Sequence, residues 1–243
     1  MAGHSKWKNI QHRKGAQDAK RGKVFTKIAK EITVATKMGG EDPDANPRLR
    51  LALTKARSAN MPRDNVDRAV KKGTGEGDTV EYLEKTYEGY GPGGTAFIVE
   101  CLTDNINRTV SDVRHAFTRS GGNLGTDGSV AYMFQAKGVL SYEAAKISDY
   151  DKMFEVALEN GADDVEEDDD SYQVTCEPGV FNDLKQALDD AGFEPGFAEV
   201  SKIPENMNPL DSGKAESVMK LVDILEDNDD VQNVYHNAEL PDG

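Results

Sequence analysis

The sequence has few of the residues that build covalent scaffolds or metal centres. Its 243 residues include two cysteines, too few for an all-cysteine zinc site or a disulfide-rich scaffold. Cys101 and Cys176 each lie in an apolar or β-branched run, so we expect strand positions in a reducing cytosol. The four histidines are far apart and lack the spacing of metal ligands. With 37% apolar residues, the chain is still compatible with packed cores.

Long hydrophobic runs and catalytic motifs are also missing. No stretch approaches the 18 or so apolar residues of a membrane-spanning helix, so we expect a cytoplasmic protein without a membrane partner. The glycine-rich segment 89–94 precedes a predicted strand, whereas a dinucleotide-binding fingerprint follows a strand and opens a helix. Neither this segment nor 73–77 has the Lys-Ser/Thr pair of a P-loop. Without a nucleophile elbow or an acid–base pair, the sequence predicts a protein that is not an enzyme.

The charge of the sequence divides sharply between its two parts. The net charge of −15, taken alone, argues against a nucleic-acid partner. However, residues 1–75 hold 18 Lys+Arg and 7 Asp+Glu, a net charge of +11. Residues 76–243 hold 11 Lys+Arg and 37 Asp+Glu, a net charge of −26. Such an asymmetry indicates a polyanionic partner for the basic part.

The basic character is strongest in the first 30 residues. Segment 1–15 is a polar, cationic arm in which no acidic residue occurs, and Trp7 is the only tryptophan of the chain. Lysine and arginine neutralise phosphates and release counterions, and an aromatic ring among them can stack on an unpaired base. The alternative is a solvated helix face with the tryptophan packed into the helices. The candidate nucleic-acid-binding residues are Lys6, Trp7, Lys8, His12, Arg13, Lys14, Lys20, Arg21, Lys23, Lys27 and Lys30.

Further cations follow along the next two predicted helices. About half of them are expected to be solubility charges or members of local ion pairs, since Asp64 and Asp67 lie among them. They are Arg48, Arg50, Lys55, Arg57, Arg63, Arg68, Lys71 and Lys72.

Helical periodicity organises residues 1–78 into a three-helix domain. In segment 16–38, Val24, Ile28, Ile32 and Ala35 form one apolar stripe, which predicts a long helix ended by the glycines at 39 and 40. Segment 46–56 begins with an Asn-Pro cap and predicts a second helix. Segment 61–73 predicts a third, followed by the glycine-rich linker 73–78.

Beyond the linker, the pattern indicates two α+β domains. Segments 95–102, 129–134 and 138–142 are predicted strands, and a helix follows Asn105. Residues 137–203 read β-α-β-β-α-β, which is typical of a ferredoxin-like sandwich. The flanking segments read β-α-β before it and α-β after it. The sequence therefore predicts an α+β fold in which a helical domain (1–78) precedes two ferredoxin-like sandwiches. The third domain (135–203) is inserted in the second (79–134 plus 204–243).

Long motifs along the whole sequence match those of one known family. They are 1–7 (MAGHSKW), 12–14 (HRK), 46–50 (NPRLR), 59–62 (ANMP), 87–92 (YEGYGP), 103–105 (TDN), 107–109 (NRT) and 121–125 (GGNLG). The sequence thus resembles the YebC family of bacterial proteins, which are described as transcriptional regulators. A mitochondrial relative is the translational activator of cytochrome c oxidase. The resemblance implies the same three-domain layout and a cytoplasmic monomer without a cofactor.

Three functional hypotheses remain at this point. The first is a DNA-binding regulator of transcription, which the resemblance favours. The second is a ribosome-associated translation factor, because the basic residues fit ribosomal RNA equally well. The third is a small-molecule sensor, since paired ferredoxin-like sandwiches can bind ligands. The acidic domains are also candidates for binding a protein partner. Residues 1–75 contain no evident helix-turn-helix recognition helix, so contacts to phosphate rather than to bases are expected.

Overall fold

The computed structural model of the protein describes residues 21–76, 80–168 and 170–241. The chain divides into two compact units. One is the continuous segment Phe134–Glu205, and the other comprises the described residues before and after it. The predicted N-terminal arm and the end of the predicted linker lie outside the described residues. The helical segment shares a unit with the first sheet, and the division of the sequence into three domains stays a prediction.

The three predicted helices of the N-terminal module are confirmed. They are α1 (Arg21–Gly39), α2 (Pro47–Ser58) and α3 (Arg63–Thr74). The apolar stripe of α1 packs against small and branched side chains of the other two helices, as its periodicity predicts. The buried residues of this core are Ile28, Ile32, Ala35, Leu49, Ala52, Ala56, Met61 and Ala69.

The side chain of Asn46 forms hydrogen bonds to both α1 and α2 where the two helices are connected. Its Oδ1 accepts a hydrogen bond from the Leu49 amide at 3.1 Å, which caps the start of α2. Its Nδ2 donates to the carbonyl oxygens of Ala35 and Gly40, both at 2.8 Å, at the end of α1. The side chain is almost fully buried, and its single amide group satisfies main-chain polar groups at the end of α1 and at the start of α2.

The chain then builds most of the first sheet. Strand β1 (Leu83–Tyr90) pairs with β2 (Ala96–Thr103), helix α4 (Ile106–Arg119) follows, and the short strand β3 (Asn123–Leu124) pairs with the other edge of β1. All these pairings are antiparallel. Residues 131–133 form a single 3₁₀ turn before the chain enters the inserted unit.

The inserted unit has the predicted β-α-β-β-α-β order. Its elements are β4 (Phe134–Glu143), α5 (Tyr150–Glu159), β5 (Ala162–Asp168), β6 (Ser171–Cys176), α6 (Phe181–Asp190) and β7 (Phe197–Pro204). The antiparallel sheet has the strand order β5-β6-β4-β7, the arrangement of a ferredoxin-like sandwich. Buried residues of both helices and of β4 and β6 form its core, with Tyr142 and Phe181 among the largest.

The last segment completes the first sheet. It contains β8 (Asn208–Pro209), α7 (Ser212–Glu226), β9 (Val231–His236) and β10 (Ala238–Glu239). Strand β9 pairs with β2, which gives the order β3-β1-β2-β9, and β8 pairs with β10 in a separate two-stranded sheet. Apolar residues of α4 and α7 cover β2, where Phe97 and Phe117 meet edge to face at 5.7 Å between centroids.

The predicted strands differ from the structure at the entry to β4 and at β1, and they did not include the two-residue strands β3, β8 and β10. Segment 129–134 was expected to be a strand, but residues 131–133 form the 3₁₀ turn, and β4 begins only at Phe134. Strand β1 was not predicted, because its first half is exposed and largely polar and the strand lacks apolar alternation. In the sheet order β3-β1-β2-β9, β1 lies between β3 and β2. This is the position that the third strand of the chain occupies in a ferredoxin-like sandwich.

Both cysteines are buried and unbonded in strands, as expected. Burial raises the pKa of Cys101 to about 12 and that of Cys176 to about 11, so neither thiol ionises near neutral pH. None of the helices in the described part of the chain is long and apolar enough to cross a membrane.

The contact between α1 and α3 gives a first prediction. A Cβ at Gly73 would lie 2.5 Å from the Cβ of Thr36 and 2.7 Å from the carbonyl oxygen of Thr33. We expect Gly73→Ala to lower the free energy of unfolding by about 1–3 kcal/mol, although alanine favours helix by about 1 kcal/mol. Urea unfolding measures the change, with Lys72→Ala on the exposed side of the same helix as the control. An alanine variant as stable as the wild type would contradict the close approach.

Candidate nucleic-acid interface

Three of the predicted phosphate-binding lysines lie on one face of α1. Lys23, Lys27 and Lys30 are spaced by four and three residues, which places them in a row along the helix. This row contacts the C-terminal end of α7 and the loop that follows, residues 226–230. The lysines therefore face another part of their own unit.

Main-chain carbonyl groups at the end of α7 and in the loop that follows accept hydrogen bonds from each lysine. Lys27 Nζ lies 2.9 Å from the carbonyl oxygen of Glu226, and Lys23 Nζ lies 2.6 Å from that of Asp227. Lys30 Nζ lies 2.8 Å from the carbonyl oxygen of Asp229. The last carbonyls of a helix have no partner within the helix, and its dipole places partial negative charge there. The lysine row supplies both the missing donors and the positive charge.

Carboxylates of the same loop complete the contact. Lys27 pairs with Glu226 at 2.8 Å and Lys30 with Asp230 at 2.7 Å, and all four side chains are nearly buried. Lys23 pairs with Asp227 at 3.4 Å, and both of these side chains are about half exposed. The contact therefore has two buried ion pairs at its centre and one exposed pair at its margin.

Asp230 is the centre of a wider network. Beside Lys30, its carboxylate accepts hydrogen bonds from Arg108 at 2.7 Å and from the Thr109 hydroxyl at 2.8 Å. Burial raises the pKa of this carboxyl, but the hydrogen bonds from Lys30, Arg108 and Thr109 outweigh burial and lower it to about 2. The group is thus ionised throughout the physiological range.

This placement corrects two predicted site residues. Lys27 and Lys30 are only 7% and 9% exposed and have acidic partners, so they do not belong to an exposed phosphate-binding surface. Lys23 is half-buried and paired with Asp227. Arg21 lies at the start of α1. The remaining candidates, residues 6–20 of the set, lie outside the described residues and stay predictions.

The cations of α2 and α3 fall into two groups. Arg48 is paired with Glu31 and Glu84, and Arg63 lies 3.8 Å from Asp67. Arg50 donates to main-chain carbonyls in the preceding loop. By contrast, Arg57, Lys71 and Lys72 are exposed, and the described residues offer them no ion-pair partner. Two of these eight cations, Arg48 and Arg63, are thus in ion pairs, and the expectation that about half are solubility charges or members of local ion pairs stays a prediction.

Several motifs of the family resemblance turn out to build the fold. The Asn105 side chain caps α4 by accepting from the Arg108 amide at 3.0 Å, while Arg108 and Thr109 bind Asp230. The segment 103–109 thus orders the network around Asp230.

Glu88 has a comparable role on β1. Its buried carboxylate accepts backbone hydrogen bonds from Gly128 and Val130 at 2.8 Å and from Ala131 at 2.7 Å. A carboxylate that accepts several amide hydrogen bonds fixes the loop that donates them. Sequence reasoning missed this role, because it predicted a strand at 129–134 and none at 83–90.

The fold and its charges define an α+β protein with a basic helical module docked on an antiparallel sheet. Comparison with known proteins specifies this class further. The family model described as the TACO1/YebC protein N-terminal domain matches residues 5–76. The model described as the TACO1/YebC second and third domain matches residues 82–238. The chain belongs to the TACO1/YebC family.

Relatives cover the chain over its full length. A protein of Syntrophotalea carbinolica is 58% identical over 242 residues, covering 100% of this chain and 97% of its own. One of Photorhabdus laumondii is 59% identical over 245 residues, covering 100% and 98%. Both are named probable transcriptional regulatory proteins. The crystal structure of a conserved hypothetical protein from Aquifex aeolicus has a TM-score of 0.83 at 42% identity and covers 93% of both chains.

The network around Asp230 gives a second prediction. Asp230→Asn leaves the buried Lys30 without its counter-charge, so we expect a loss of about 3 kcal/mol in the free energy of unfolding at pH 7. The usual pKa of 3.8 falls to about 2 in the folded protein. The ionised carboxylate therefore stabilises the fold above about pH 4, and this contribution disappears as the pH falls towards 2. Wild type and variant should thus differ by about 2 kcal/mol less near pH 2 than at pH 7.

Urea unfolding of both proteins across this pH range measures the difference. Asp223→Asn, at an exposed position of α7, is the matched control and should leave stability nearly unchanged at each pH. A gap between wild type and Asp230→Asn that stays constant down to pH 2 would rule out the ionised network as its source.

Proposed function

We propose that this protein is a DNA-binding regulator of transcription that contacts the phosphate backbone through its basic N-terminal module. The names of its relatives support the regulatory role, since they are called probable transcriptional regulatory proteins. The charge of the module, +11 over residues 1–75, supports a polyanionic partner. The proposal places the protein in the cytoplasm as a monomer that needs no cofactor and catalyses no reaction.

One observation carries the binding part of the proposal. Arg57, Lys71 and Lys72 stay exposed and without ion-pair partners among the described residues, although other cations of the module are paired. An unpaired cation at a surface contacts phosphate without first breaking an internal ion pair. These three residues are therefore the described part of the proposed surface.

The N-terminal arm supplies the rest of the proposed surface. Lys6, Lys8, Arg13, Lys14 and Lys20 are accompanied by a single acidic residue, Asp18, over the first 20 positions. We assign to these cations contacts with phosphate and to Trp7 stacking on a base.

The acidic remainder restricts where nucleic acid binds. Residues 76–243 have a net charge of −26 and repel phosphate, so contacts are confined to the module and non-specific coating is limited. Contacts to phosphate carry no sequence information by themselves. Binding through them should tolerate many sequences and weaken steeply with salt.

Neutralising the exposed cations gives a third prediction. In the variant Arg57→Ala/Lys71→Ala/Lys72→Ala, we expect duplex DNA affinity to fall at all sequences alike. The slope of log K against log salt is negative, and each lost phosphate contact reduces its magnitude by about 1. The salt dependence should therefore become shallower by about 3. Fluorescence anisotropy of labelled DNA over a salt series measures both effects.

The control removes the same number of cationic side chains from the acidic part of the chain. Lys146, Lys214 and Lys220 are exposed and paired with neighbouring carboxylates, and their joint replacement by alanine should leave affinity and slope unchanged. A second test variant, Lys6→Glu/Arg13→Glu/Lys14→Glu, examines the arm and should abolish binding. Unchanged affinity in both folded test variants would overturn the proposal.

Ribosomal RNA is the second candidate target. It presents the same phosphates as DNA, and it offers the unpaired bases on which an aromatic side chain such as Trp7 stacks. Under this alternative the protein is a ribosome-associated translation factor.

Crosslinking in cells, with sequencing of bound DNA and bound RNA, separates the two targets and gives a fourth prediction. We expect chromosomal DNA, promoters included, to be enriched with the wild type and lost with the arm variant. Enrichment of one region of ribosomal RNA without promoter DNA would overturn the transcriptional role and establish the translational one.

A further inference from the structure

The inserted unit exposes an apolar ridge on α5. Tyr150, Phe154 and Leu158 are spaced by four residues and therefore lie next to one another along the helix surface. Phe154 is 37% exposed and Leu158 is 47% exposed, although both are large apolar side chains. The Tyr150 ring stands 5.9 Å from the Phe154 ring and 4.6 Å from that of Tyr172 on β6. The ridge thus continues from the helix onto the sheet.

Carboxylates flank this ridge on both sides. Asp151, Glu155 and Glu159 follow the ridge residues by one position each and are all exposed, so they form a parallel acidic row on α5. On the sheet, Glu167 of the edge strand β5 pairs in register with Tyr172 and is also exposed. Residues opposite one another in a strand pair point to the same face, so Glu167 lies beside the Tyr150–Tyr172 stack.

No cation of α5 compensates these charges. Lys152 is the single lysine of the helix, and it turns towards α6. Its Nζ donates to the carbonyl oxygen of Ala191 at 3.3 Å and lies 5.7 Å from the centre of the Phe193 ring. The ridge is therefore an exposed apolar strip between acidic margins.

We propose that this ridge, Tyr150–Phe154–Leu158, is a docking surface for a cationic amphipathic helix of a partner protein. Such a helix presents an apolar stripe to the ridge and lysine or arginine side chains to the carboxylates on either side. Nucleic acid is excluded by the sign of the charge. A second copy of the same surface is disfavoured as well, because its acidic rows would face identical rows. This inference is independent of phosphate binding by the N-terminal module.

A designed peptide tests the proposal with the full-length protein. The probe is a labelled peptide of about five helical turns, with leucine on one face and lysine elsewhere. The control peptide has the same composition in an order that removes the apolar face. We expect saturable binding of the amphipathic peptide, at least about tenfold tighter than that of the control, in fluorescence anisotropy. Chemical-shift changes in NMR should be centred on α5.

Variants of the ridge distinguish this surface from general charge attraction. Phe154→Ser/Leu158→Ser should weaken binding about tenfold or more while circular dichroism is unchanged, since both side chains are exposed. Glu155→Lys/Glu159→Lys should also weaken binding and reduce its dependence on salt. Val200→Ser is the matched control, because Val200 is 38% exposed on β7, at the opposite edge of the same sheet.

Three results would overturn the proposal. The first is equal affinity for the two peptides, which would show attraction by charge alone. The second is binding that the ridge variant leaves at the level of Val200→Ser. The third is self-association of the wild type that Phe154→Ser/Leu158→Ser abolishes, which would assign the ridge to a second copy of the chain.

Discussion

The docking of three α1 lysines on the end of α7 holds the helical module to the first sheet. Lys23, Lys27 and Lys30 donate to carbonyl oxygens that α7 and its following loop leave without helical partners. Buried ion pairs are costly to form, because both charges lose water, and costly to break, because one charge is left alone. Here the main-chain carbonyls add hydrogen bonds to each ammonium group, which offsets part of the desolvation. The same feature makes the position of α1 depend on the loop 226–230.

Side chains of α4 hold the loop 226–230 in place. Asp230 is reached by Arg108 and Thr109 of α4 as well as by Lys30, and the Asn105 cap places Arg108 at the start of that helix. Residues distant in the sequence thus satisfy one carboxylate. Polar residues in such a network are restricted by their partners, so the segment 103–109 has a structural reason for its composition apart from any contact with nucleic acid.

Apolar periodicity predicted most of the architecture. The stripe Ile28–Ile32–Ala35 identified α1, and the order of elements from 137 to 203 identified the inserted ferredoxin-like sheet. Strand β1 was missed because its polar residues carry no such period; it is held by pairing with β2 and by the buried carboxylate of Glu88. The role of the α1 lysines was missed for a related reason. A helical repeat shows that charges share a face but not what lies opposite that face, although the acidic segment 226–230 was a signal of complementary charge.

Because these lysines form ion pairs within the chain, the net charge of residues 1–75 overstates the number of cations available to bind phosphate. Three of the positive charges in residues 1–75 are matched by Glu226, Asp227 and Asp230, which the sequence assigns to the acidic part. The basic and acidic segments are therefore not separate in space, because α1 and the loop 226–230 are in contact through these ion pairs. Cations engaged in this way contribute to folding, so the proposed phosphate contacts rest on the arm and on exposed residues such as Arg57 and Lys71. A smaller set of cations limits the number of phosphates neutralised at once, and with it the salt dependence of binding.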